Sequence, residues 1–150
     1  MSTVYISDDA FTKLSLTFKL KKGIVPPNSI SWAAQMGYTD LVRTLIDMNA
    51  DVRENRNYPL ELASRNGYTK IVRMLLDAGV RTSDSEPDEG YCLRLAAYRG
   101  HIDIVKMLLE SGADPMAGNY HALRLALSMQ HMEVVDMLID YIYKARHSDI

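Results

Sequence analysis

YCLRLAAYRGHIDIVKMLLESGAD, residues 91–114, occurs in variant form at three other places in the chain. The copies are NSISWAAQMGYTDLVRTLIDMNAD from Asn28, YPLELASRNGYTKIVRMLLDAGV from Tyr58 and HALRLALSMQHMEVVDMLIDYI from His121. Their anchor alanines Ala33, Ala63, Ala96 and Ala126 are spaced by 30, 33 and 30 residues. Self-similarity at such a period marks a stack of small units, each burying its apolar face against the next, rather than one closed core.

Within each copy the pattern predicts two antiparallel helices followed by a loop that reaches sideways. In the second copy a first helix is expected over about Pro59–Arg65, where proline at the first position loses no needed hydrogen bond. Leu60, Leu62 and Ala63 face the stack, and Gly67 turns the corner. A second helix over about Lys70–Ala78 buries Ile71, Val72, Leu75 and Leu76 at helical spacing, and Gly79 ends it. The third copy repeats this with Leu93, Leu95, Ala96, Gly100, Ile104, Val105, Leu108 and Leu109. In the fourth, Gln130 stands at the corner, and the last helix runs on through Tyr141, Ile142 and Tyr143.

The residues that carry a family likeness are the Leu-x-Leu-Ala segment, the Gly-Tyr or Gly-His corner, the Ile/Leu-Val and Leu-Leu pairs, and the Gly-Ala-Asp exit. Together they resemble the ankyrin repeat, over residues 28–142. The resemblance implies an all-α solenoid of helix-turn-helix repeats at 28–57, 58–90, 91–120 and 121–142. Residues 1–27 then form an N-terminal capping segment, and 143–150 the end of the last helix and a tail. The sequence also departs from the family. Tyr58, Tyr91, His121 and Asn28 stand where it has threonine, and Glu61, Arg94, Arg124 and Ser31 where it has histidine. The short repeats also look like those of large DNA viruses.

The capping segment reads two ways. Ser7-Asp8-Asp9 looks like a helix start and Gly23 like a stop, with Phe11, Leu14 and Phe18 on one face. Leu14, Leu16, Phe18 and Leu20 also alternate with polar residues, as a strand would. The helix is favoured, because an open end of a stack needs an apolar cover.

The net charge of −2 argues against a nucleic-acid binder, which needs a basic stripe. The lone Cys92 fits a reducing, cytoplasmic setting. MSTVYISDDA is not expected to act as a secretory signal, and no apolar run is long enough to span a membrane. No phosphate loop, GxSxG, HExxH or metal-spaced Cys/His cluster is present, so no enzyme activity, metal or cofactor is expected. His101 and His131 fall at the corner, where an imidazole bonds backbone groups. Cys92, beside the apolar face, reads as a small core residue.

The resemblance further implies a concave groove lined by loop tips and by the exposed side of the first helices. Mapped onto this chain, candidate partner-binding residues are Met36, Arg65, Asn66, Arg94, Tyr98, Arg99, Tyr120, Arg124 and Met129. The loop residues Asp88 and Glu89 join them, with Glu54, Asn55 and Asn57 at the preceding loop. Arginine, tyrosine and methionine are the types enriched at interface centres. The acidic run Asp84, Glu86, Asp88, Glu89 reads as a finger that steers a basic partner. The competing reading folds it back onto Arg94 and Arg124. The expected function is therefore non-catalytic binding of another protein, monomer favoured, by a viral or bacterial inhibitor of a host factor. The alternative is a structural protein, a homodimer or larger assembly, that self-associates through its terminal repeats.

Overall fold

A computed structural model describes residues 8–82 and 90–148, and among these the regular elements are helices without a strand. In chain order they are α1 (Asp8–Lys21), α2 (Ser29–Met36), α3 (Thr39–Asp47), α4 (Glu54–Asn66), α5 (Thr69–Asp77), α6 (Tyr91–Arg99), α7 (Ile102–Glu110), α8 (Ala117–Ser128) and α9 (Met132–His147). The pairs α2/α3, α4/α5, α6/α7 and α8/α9 are the four repeats, and each pair packs on the next.

The first helices α2, α4, α6 and α8 lie closer together than the second helices α3, α5, α7 and α9. The cause is side-chain size. Ala33, Ala34, Ala63, Ser64, Ala96 and Ala97 are wholly buried between the first helices and let their backbones approach. Between the second helices, Val42, Leu45, Ile71, Leu75, Ile104 and Leu108 hold the backbones further apart. The stack therefore bends with its first helices on the inner side.

α1 is a helix, as favoured, but it turns the other face inward. Leu16 and Leu20 are buried against the first repeat, whereas Leu14 and Phe18 are 60% and 61% exposed. The side chain of Phe11, placed on the covering face by sequence, lies outside the described residues. Residues alternating along a helix fall on opposite faces, two steps of 100° apart, so this pattern makes two apolar stripes, and only one can meet the stack.

Each corner is locked by the repeat that follows it. Gly37, Gly67 and Gly100 have φ of 73°, 77° and 74°. A Cβ added to them would stand 2.8 Å from the Tyr68 ring, 2.7 Å from His101 and 2.7 Å from His131, respectively. Glycine is thus required twice over, by the left-handed backbone and by the ring lying on it. The same histidines donate to the first helices: His101 Nε2–H reaches the Arg65 carbonyl at 3.2 Å, and His131 Nε2–H the Tyr98 carbonyl at 3.0 Å.

Gln130 takes the same conformation, φ 59°, in the last repeat. Among the described residues no later repeat supplies a ring to lie on it, so only the backbone strain counts. Gln130→Gly should therefore stabilise the fold by about 1 kcal/mol. A thermal melt checks this, and an unchanged or lower midpoint would refute it.

Candidate binding face

The inner side of the stack is built from residues that precede each corner. Tyr98 is 40% exposed and Met129 42%, with Asn66, Arg99 and Arg124 also exposed and Met36 and Arg65 half-buried. Two rows recur at the repeat register on adjacent first helices, Arg65 with Tyr98 and Met36 with Asn66, Arg99 and Met129, while Arg124 shares the register of Arg94 earlier on its helix. Arg65 and Arg99 end α4 and α6, where a cation also suits the helix dipole.

Charge is distributed unevenly. Past the loops, the first helices carry Arg65, Arg94, Arg99 and Arg124 against Glu61 alone. The second helices are richer in acids, with Asp40, Asp47, Asp77, Asp103, Glu110 and Asp136 among them. Glu61 sits low on the inner side. Burial raises its pKa, and the attraction of Arg65 works in the opposite direction. The Cys92 thiol is pushed up to about 12, chiefly by burial and then by Glu61. It is a protonated core group at neutral pH, as the sequence suggested.

The loops hold the repeats together. Before the helical part of α4, Asn55, Arg56 and Asn57 form a left-handed turn, φ 51°, 60° and 65°. This carries Glu54 back to the first repeat, where its carboxylate accepts from the Asn28 N–H at 3.1 Å and the Ser31 N–H at 2.7 Å. α2 has no side-chain cap of its own, so Glu54 satisfies two N–H groups left open at its start. In the other direction Arg53 Nη2 donates to the Gly79 carbonyl at 2.7 Å, and the buried Asn57 donates through Nδ2 to the Arg81 carbonyl at 3.2 Å. Glu54 and Asn57, which sequence mapping put on the groove, are therefore joints between repeats. Asn55 Nδ2 donates to Asn28 Oδ1 at 3.0 Å.

The fourth loop repeats the left-handed turn at Gly118, Asn119 and Tyr120. There the Tyr120 hydroxyl accepts from Arg146 Nη2, whose guanidinium also covers the ring. Tyr120 thus faces the end of the stack, apart from Tyr98 and Arg99. Arg94 lies over the Tyr91 ring, 5.3 Å from its centroid. Asn66 Nδ2 reaches the Gln35 carbonyl at 3.4 Å. Asp88 and Glu89, with the acidic run at 84–89, lie outside the described residues. Sequence mapping passed over Tyr58, which is exposed at the start of the second repeat. Its signal was an aromatic side chain where the family has threonine.

Among the described residues no group of histidine, cysteine, aspartate or glutamate side chains is placed to hold a metal ion, and no helix is long and apolar enough to cross a membrane. No curated protein matches the sequence. The family model described as ankyrin repeats, three copies, matches residues 14–86 and again 81–149. Those matches take in all four helix pairs and most of α1, so the chain belongs to the ankyrin repeat family, whose members generally serve as modules that bind other proteins.

Proposed function

We propose that the protein binds an acidic segment of a partner protein on the inner side of the stack. The observation that carries this is the presence of Arg65 and Arg99 with exposed Tyr98 and Met129 at the ends of the first helices, with Arg124 exposed earlier on α8. A surface selected for solubility alone would favour lysine and glutamate, whereas arginine and tyrosine dominate interface hot spots. Occupying the partner is itself the activity in this reading. The likeness of the short repeats to those of large DNA viruses supports a partner that is a host factor held inactive.

The test is capture of the partner from lysate of the host cell, followed by association rates at low and moderate salt. An acidic partner whose association slows with salt is expected. Replacing Asp84, Glu86, Asp88 and Glu89 by their amides should then speed association, because the loss of four negative charges lessens the chain's repulsion of an acidic partner. A basic partner, with association slowed by the same substitutions, would overturn this reading in favour of the steering finger.

A further inference from the structure

Both ends of the stack are apolar where a solenoid end is ordinarily polar. At the N-terminal end, the outward stripe of α1 shows Leu14 and Phe18 to solvent, one turn apart, with Ile24 beyond them. At the C-terminal end, two positions that the earlier repeats cover wholly or in part are more open. Leu127 takes the place held by the buried Ala34, Ser64 and Ala97, yet it is larger than any of them and 49% exposed. Ile139 takes the place of the buried Leu109 and of the half-buried Ile46 and Leu76, and is likewise 49% exposed. Between α8 and α9 runs a largely apolar groove of about 470 Å³, lined by Tyr120, Leu123, Ile139, Ile142 and Tyr143 together with Arg146 and His147.

The two ends match in shape and in charge. The outward stripe of α1 is a single ridge, and the far end is a groove between two helices; ridge into groove is how helices pack. Two ridges or two grooves do not fill each other. Along α1 the charge runs from Asp9 at the start, past Lys13, whose ammonium lies over the Tyr38 ring, to Lys19 and Lys21 in the last turn, followed by Lys22 over the Phe18 ring. Along α9 it runs from Glu133, Asp136 and Asp140 to Lys144 and Arg146. An antiparallel crossing sets the lysines of α1 against the acids of α9 and Asp9 near Lys144 and Arg146, and it opposes the two helix dipoles favourably. A parallel crossing sets like against like at both ends.

We propose that copies of this chain associate head to tail, with the Leu14/Phe18 ridge of one seated antiparallel in the α8–α9 groove of the next. Such a contact uses different surfaces on the two partners, so it does not close, and the assembly grows with concentration. It leaves the inner arginines uncovered, so it neither requires nor excludes the acidic partner.

Sedimentation of the whole chain over roughly 5–200 µM, the range suited to a small interface, should show a mass that rises past the dimer. Phe18→Glu removes the ridge and Ile139→Glu the groove. Phe18 is 61% and Ile139 49% exposed, so both variants should melt close to the parent. Each alone should be monomeric, with association at least tenfold weaker, and an equal mixture should form a one-to-one dimer and nothing larger. A parent that stays monomeric throughout overturns the proposal and leaves both faces to a different protein. Dimers of Phe18→Glu alone would mean groove-to-groove pairing, and dimers of Ile139→Glu alone ridge-to-ridge pairing; either overturns it. So does a monomeric mixture beside an associating parent.

Discussion

Gly100→Ala should lower the stability of the stack by roughly 2–4 kcal/mol, the sum of a backbone and a packing effect. Alanine at φ 74° is strained by about 1 kcal/mol. Its Cβ would also stand 2.7 Å from the His131 ring, which cannot withdraw without giving up its hydrogen bond to the Tyr98 carbonyl. In a chain of this size the melting midpoint should fall by roughly 5–15 °C. Gly112→Ala separates the two effects, because Gly112 has φ 96° but nothing within 4 Å of an added Cβ. It should show the backbone strain alone. If the two variants melt alike, the histidine ring moves aside freely and the corner is not locked by its neighbour.

The second large effect concerns binding. Truncating Arg65, Tyr98 and Arg99 together to alanine should weaken the captured partner at least a hundredfold, about 3 kcal/mol, since buried interface Arg and Tyr each typically contribute about 2 kcal/mol or more. The fold should survive, for a specific reason. His101 and His131 are held by the carbonyls of Arg65 and Tyr98, main-chain atoms that alanine retains. Circular dichroism and the melting midpoint should therefore stay close to the parent's. Those two hydrogen bonds also fix the backbone beneath the row, so the side chains are presented from a rigid support. An unchanged affinity would move the binding site off the inner side altogether.

The repeat architecture was legible because its signals are local and redundant. Four copies of one pattern place Ala63, Gly67 and Leu75 without knowledge of any neighbour. The capping helix was legible only in part. Leu14, Leu16, Phe18 and Leu20 give a helix two equivalent stripes, and the choice between them depends on the surface of the first repeat, which its own sequence does not reveal. The loops were misread for a related reason. Glu54 and Asn57 look like free surface until their partners at Asn28, Ser31 and Arg81 are known. Tyr120 falls at a groove position by register, but only the course of α9 brings Arg146 onto it.

The corner covers and the cap of α2 share a direction. α2 takes the cap of its first turn from Glu54 in the second repeat, and the corner at Gly67 takes its cover from His101 in the third. The corner at Gly100 takes its cover from His131 in the fourth. At these points each unit is finished by the one after it, against the order of synthesis, whereas Arg53 and Asn57 reach forward to Gly79 and Arg81. A ribosome releases the first repeat while the groups that complete it are still inside the exit tunnel. The nascent chain therefore holds one unfinished repeat at its growing end, completed each time the next repeat emerges and packs on it.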